Sequence, residues 1–204
     1  MSYVLTAVAA YFVGSIPTGY LWARAQGVDI RSVGSGNIGA TNVFRILGKG
    51  PGIAVLLIDA LKGFLPAKYL LIGAASANQE YHSIVAGLFA VIGHNYTCWL
   101  QFKGGKGIAT SSGVVLAWVP VALLITLGSW IIIFAVSRYV SLASVLAALV
   151  LPVAVFATGQ PPFMIGIASF LSALAIYKHR GNIQRLLNGT ENRFGSRKAA
   201  APPA

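Results

Sequence analysis

Four stretches of the chain carry residue types suited to holding a phosphate ester. The first reads Gly34-Ser35-Gly36-Asn37-Ile38-Gly39-Ala40-Thr41-Asn42-Val43-Phe44-Arg45. Small residues let backbone N–H groups come close to an anion, Ser, Asn and Thr add neutral donors, and Arg45 adds a bidentate cation. A helix starting between Asn37 and Thr41 would aim its positive end at the same anion. Gly34, Gly36 and Gly39 spell G-x-G-x-x-G, but no strand precedes them, so a dinucleotide fold is not implied. A plain linker needs neither the Asn and Thr nor the Arg, and the stretch reads as a phosphate cradle.

The second stretch is Phe102-Lys103-Gly104-Gly105-Lys106-Gly107-Ile108-Ala109-Thr110. Lysine is a compact point charge suited to phosphate. Lys106 is followed by Gly107, so this is not a Walker A loop. Lysines at a membrane edge also serve as anchors that reach for headgroups; the glycines and Thr110 beside them favour ligand binding. The third stretch, Arg138 to Ser144, places Ser141 and Ser144 at i and i+3 on one helix face. Ligand hydroxyls and small-residue packing explain that pair equally well. The fourth runs from Lys178-His179-Arg180 through Asn182 to Glu191. His179 and Asn182 are again i and i+3, and His179 can act as acid, base or donor. His94, at the end of an apolar stretch, reads as structural. So do Asp59 and Lys62, an i, i+3 pair that can neutralise itself and could also wall a polar cavity.

Other chemistries are excluded. Trp99 stands five residues after His94 and Gln184 five after His179, so the H-x-x-x-x-D acyltransferase pattern is missing. There is no G-x-S-x-G elbow, no H-E-x-x-H and no zinc spacing. Cys98 is the sole cysteine and no neighbour in sequence activates it. Four acids, Asp29, Asp59, Glu80 and Glu191, argue against a carboxylate-rich metal site.

The elements that must position these stretches follow from composition. The chain has 204 residues and a net charge of +11; 56% are hydrophobic and 9% charged. Soluble domains have roughly a quarter charged residues. Mean hydropathy is +0.75. A disordered chain, a disulfide scaffold and a water-soluble enzyme are excluded. An all-α polytopic membrane protein remains, with its basic excess meant for anionic lipid or an anionic substrate rather than nucleic acid.

A span needs about 20 apolar residues. Tyr3 to Trp22, Ile53 to Gly73 and Tyr81 to Leu100 qualify, and Ser141 to Thr158 and Pro161 to Tyr177 are shorter but strongly apolar. Gly107 to Val136 is a 30-residue uncharged segment with Pro120 as its natural break. Lys and Arg cluster at 24–49, 103–106, 138 and 178–198. The positive-inside rule puts all four clusters in the cytoplasm only if Gly107 to Val136 goes out and back as two short helices. The expectation is seven transmembrane helices, the fourth and fifth short, with the N-terminus outside and the C-terminus cytoplasmic. Six spans with a kinked fourth helix is the rival. Residues 1–195 read as one domain and 196–204 as a disordered tail.

Together, in this order and in a membrane protein of this length, the four stretches resemble the bacterial acyl-phosphate:glycerol-3-phosphate acyltransferase family. The likeness runs from about residue 10 to 195. It implies transfer of a fatty acyl group from acyl phosphate to the 1-hydroxyl of sn-glycerol 3-phosphate. The products would be lysophosphatidic acid and phosphate, in the first acylation of bacterial phospholipid synthesis. It further implies no metal and no acyl-CoA, a seven-helix fold in the cytoplasmic membrane, and a soluble partner that makes the acyl phosphate. The expected catalytic residues are Ser35, Arg45, Lys106 and His179. Gly34, Gly36, Asn37, Gly39, Thr41, Asn42, Lys103, Gly104, Gly105, Ser141, Arg180, Asn182 and Glu191 are expected to bind substrate. An acyl phosphate is already activated, so positioning and oxyanion stabilisation suffice, with His179 or the substrate's own phosphate as base. A transporter of phosphate esters is the alternative; the lack of an internal repeat and the gathering of charge at one face count against it. A lipid-binding scaffold would leave the Ser, Asn, Thr and His of the loops without a role.

Overall fold

The computed structural model describes residues 1–195, apart from the Ser76 side chain. The expected disordered tail, 196–204, lies outside the described residues. Among the described residues there are helices and no strands: α1 (Ser2–Ser15), α2 (Thr18–Ala25), α3 (Ala40–Leu47), α4 (Lys49–Tyr69), α5 (Gln79–Asn95), α6 (Ile108–Trp118), α7 (Pro120–Ser137), α8 (Val140–Ala157), α9 (Pro162–Lys178) and α10 (Arg180–Leu187). They form two compact units, the first ending at Leu123 and the second beginning at Leu124.

In the first unit α1 lies along α5, α4 packs on α5 and α6, and α3 packs on α4. Close approach depends on glycine. A Cβ on Gly14 would overlap the Ala90 backbone, one on Gly63 the Thr110 carbonyl, and one on Gly113 the Ala60 carbonyl. Helices in lipid gain little from apolar burial, so small residues that let backbones touch supply the contact. In the second unit α8 packs along α9 and α10 touches both. Trp130 of α7 donates its indole N–H to Ser144 Oγ of α8 at 3.1 Å.

Two breaks shape the apolar segments. Pro17 has no N–H to continue a ladder, so the expected first span separates into α1 and α2 at Ile16 and Pro17. The exposed Ile16 carbonyl accepts Lys62 Nζ of α4 at 2.8 Å. The second break falls at Val119, between α6 and α7, with Pro120 as the first residue of α7. Proline suits a first helical position because its missing N–H is unused there.

Five helical segments are long and apolar enough to cross a membrane: Ser2–Ala25, Lys49–Tyr69, Gln79–Leu100, Pro120–Ser137 and Val140–Ala157. The pair α9 and α10, bent by 57°, makes a sixth if taken as one span. Helix α6 is apolar but only 11 residues long, a rise of about 16 Å against a core of about 30 Å. The fourth segment is therefore short, as expected. The fifth is not: α7 has 18 residues, because Pro120 costs it no length and the helix runs on until Arg138 turns to φ +62°.

Candidate active site

The first glycine stretch folds around one side chain. Asn42, in the first turn of α3, is 1% exposed. Its Oδ1 accepts the Ser35 N–H at 2.9 Å. Its Nδ2 lies 3.0–3.1 Å from the carbonyl oxygens of Ile30, Val33 and Asn37. Asn37 Oδ1 accepts the Gly39 N–H at 2.8 Å, and Gly39 is the residue before α3. Gly34 and Gly36 have φ of +63° and +68°, a region in which only glycine is unstrained. A Cβ on Gly34 would also run into Asn42 Oδ1. The loop is thus a preset shape, with Ser35 exposed on it and Arg45 exposed on α3. Thr41 is partly buried in the first turn of α3.

The second stretch folds back on the end of α5. The Gly104 N–H donates to the Asn95 carbonyl at 3.2 Å and the Gly105 N–H to the His94 carbonyl at 3.0 Å. A Cβ on Gly105 would overlap the His94 ring, and one on Gly107 would sit 2.6 Å from Asn95 Oδ1. Gly107, at φ +79°, caps the N-terminus of α6. Gly104 and Gly105 are thus small because α5 lies behind them. Lys103 is exposed and Lys106 half-buried. Behind the loop, Asp59 Oδ1 meets Lys62 Nζ at 2.8 Å and lies 3.9 Å from His94 Nδ1, all three side chains being buried.

In the second unit the organiser is Glu191, whose side chain is 7% exposed. Its Oε1 accepts Ser141 Oγ at 2.9 Å and Asn182 Nδ2 at 2.8 Å, and its Oε2 accepts Arg185 Nε at 2.8 Å. Burial opposes ionisation of this carboxyl, but the hydrogen bonds from Asn182, Ser141 and Arg185 outweigh it and hold it below its usual range. Ser144, by contrast, donates to the Val140 carbonyl at 2.8 Å and accepts from Trp130. The two serines of one face therefore divide, Ser141 to the carboxylate and Ser144 to helix packing. His179 sits at the 57° bend between α9 and α10 and is buried. Its Nδ1 is 2.8 Å from the Ala175 carbonyl. A carbonyl can only accept, so Nδ1 carries the proton and Nε2 is the basic nitrogen of the neutral ring. Arg180 is exposed and lies over the Tyr177 ring, 4.4 Å from its centroid.

The family profile described as glycerol-3-phosphate acyltransferase matches residues 4–189. The chain belongs to the glycerol-3-phosphate acyltransferase family. A glycerol-3-phosphate acyltransferase of Geobacter sulfurreducens is 51% identical over 191 residues, covering 94% of this chain and 96% of that one. Among solved structures, PlsY (YgiH), an integral membrane glycerol 3-phosphate acyltransferase in its glycerol 3-phosphate form, matches with a TM-score of 0.89. Identity is 44% and the match covers 96% of each chain. Its lysophosphatidic acid form matches with a TM-score of 0.87 at 43% identity. The acyltransferase family resemblance and the all-α membrane fold both hold.

Within this family member, the first unit brings Gly34, Ser35, Gly36, Asn37, Gly39 and Asn42 into one loop, and Lys103 to Lys106 into another. The second gathers Ser141, Asn182 and Glu191. Asn42 and Glu191 turn inward as organisers of their own clusters. Asn95 escaped the sequence reading, and His94 was read as structural without a task. The available signal was two consecutive polar residues closing an apolar helix, nine to twelve positions ahead of the glycines they support.

Proposed function

We propose that this chain transfers a fatty acyl group from acyl phosphate to the 1-hydroxyl of sn-glycerol 3-phosphate, releasing phosphate and lysophosphatidic acid. The observation that carries this reading is the match over 96% of both chains to a structure in glycerol 3-phosphate and lysophosphatidic acid forms. Those two molecules differ by one acyl group. The acyl-phosphate donor is supported by the four sequence stretches and by the exposed Ser35 and Arg45 on and beside the first loop. That loop, with Ser35 and Arg45, takes the donor phosphate. Lys103 and Lys106 take the phosphate of glycerol 3-phosphate.

The reaction needs an alkoxide-like oxygen to attack the acyl carbon while phosphate leaves. Fixed cations stabilise the leaving dianion, and a held acceptor hydroxyl lowers the entropic barrier. The hydroxyl proton has two acceptors of suitable chemistry. One is Nε2 of His179. The other is a substrate phosphate, whose second pKa is about 6. The chain works in the bacterial cytoplasmic membrane, and its Lys- and Arg-rich loops face the cytoplasm by the positive-inside rule.

The deciding experiment is product formation by the purified protein in detergent or lipid cubic phase. It is given palmitoyl phosphate and labelled glycerol 3-phosphate, with EDTA and no CoA ester. Labelled lysophosphatidic acid is expected, and Arg45→Ala or Lys106→Ala abolishes it. Product formed from acyl-CoA but not from palmitoyl phosphate would refute the donor assignment.

A further inference from the structure

We propose that His94 and Asn95 are positioning residues for the acyl transfer, fixing where Lys106 presents its ammonium group to glycerol 3-phosphate. The proposal rests on the reading of the 103–107 loop as the acceptor-phosphate site. Neither residue is assigned a contact with substrate.

Two consecutive residues at the end of α5 engage the loop in two ways each. Their carbonyls accept the Gly105 and Gly104 N–H groups. Their side chains fill the space that a Cβ on Gly105 or Gly107 would need. The His94 ring thus stands against the residue before Lys106, and the Asn95 amide against the residue after it. The Lys106 backbone is held from both sides by α5.

The support is itself supported. His94 Nδ1 lies 3.9 Å from Asp59 Oδ1, Asp59 is paired with Lys62 at 2.8 Å, and Lys62 donates to the Ile16 carbonyl at 2.8 Å. The α1–α2 break, α4, α5 and the loop are therefore joined by one line of buried polar groups. Such groups are costly in an apolar span. Apolar side chains at 59, 62 and 94 would suit lipid better but would leave the ring without a fixed orientation. A flat ring also allows the backbone approach at Gly105 that a bulkier side chain would block.

The test combines steady-state kinetics with hydrogen–deuterium exchange on the full-length protein in detergent. His94→Ala and Asn95→Ala are each expected to raise KM for glycerol 3-phosphate by about 10- to 100-fold, the loss of a hydrogen bond to a charged group. KM for palmitoyl phosphate and kcat stay near wild type, and amides across 103–107 exchange faster. Gly105→Ala pushes on the same contact from the other side and raises the same KM; it also serves if His94→Ala does not fold. Combined with His94→Ala it adds little, because the ring it collides with is gone. Unchanged amide protection in folded His94→Ala and Asn95→Ala overturns the positioning role, and strictly additive effects overturn the ring–glycine contact. A Lys106→Ala variant with wild-type KM overturns the acceptor-phosphate reading instead, and that failure shows in Lys106→Ala itself.

Discussion

His179 holds its Nδ1 proton on the Ala175 carbonyl, 2.8 Å away and one helical turn back. That bond selects the tautomer and leaves Nε2 as the basic nitrogen. His179→Ala should therefore reduce kcat/KM even in protein that folds normally. The division of the loss is informative. A fall in kcat of about 10²–10⁴ is the size expected of a general base. A rise in KM at constant kcat would give the hydroxyl proton to the substrate phosphate.

Asn42 should be intolerant of near-isosteric change. Asn42→Asp keeps the shape but replaces a donor that faces three carbonyl oxygens with an acceptor. The loop bearing Ser35 would lose its form, so Asn42→Asp should be at least as damaging as Asn42→Ala. Each unsatisfied buried group costs about 1–3 kcal/mol. The expected signature is a raised KM for acyl phosphate, and Asn42→Asp that works better than Asn42→Ala would refute the account.

Glu191 gives the second unit a pH dependence. Its carboxyl is held below its ordinary value of 4.5 in the folded protein. The stability it contributes is complete above that ordinary value and is lost as pH falls from there through the lower folded-state value. Glu191→Gln places an amide N–H group near Arg185 Nε and removes the charge. It should cost about 1.5–3 kcal/mol at neutral pH and flatten the acid limb of a thermal-stability profile in detergent. An acid limb of the same slope in Glu191→Gln would assign it to another group.

The Asp59–Lys62 pair should show strong coupling. Asp59→Asn strands a buried ammonium group and should cost about 3–5 kcal/mol. Asp59→Asn with Lys62→Gln removes both charges while keeping a donor within reach of the Ile16 carbonyl. The double variant should be more stable than Asp59→Asn alone, as read by thermal unfolding. Additive losses would mean that the two side chains act independently.

Much of this was legible in the sequence, for a definite reason. Glycine spacing, isolated lysines and Pro120 are signals of backbone geometry and of charge, and both are written residue by residue. The break before α7 and the glycine-shaped loops followed from them. What composition does not encode is direction. Nothing in the order of letters says that Asn42 turns into its own loop, or that Gly104 and Gly105 are small to admit α5 behind them. Pro17 was visible too, but a proline near the end of an apolar run marks a span's edge as readily as its interruption. Only the Lys62 ammonium on the Ile16 carbonyl separates those two meanings. The length of α7 was missed because one uncharged segment was shared out as two short helices, whereas the break before Pro120 leaves 11 residues to α6 and 18 to α7.

The ammonium on that carbonyl also bears on how the chain enters the bilayer. Helix α4 carries Asp59 and Lys62 in its interior, and each such residue near the middle of a span opposes insertion by about 2.5–3.5 kcal/mol. Released alone into lipid, α4 would be a poor stop-transfer segment. Its cation pairs with Asp59 on the same helix, but the second partner of that cation is a carbonyl of the α1–α2 break, which leaves the ribosome earlier, and the His94 of α5 that neighbours its anion emerges later. Helices α1, α4 and α5 would therefore have to leave the translocon as a group, with α1 waiting beside it until its partners are made.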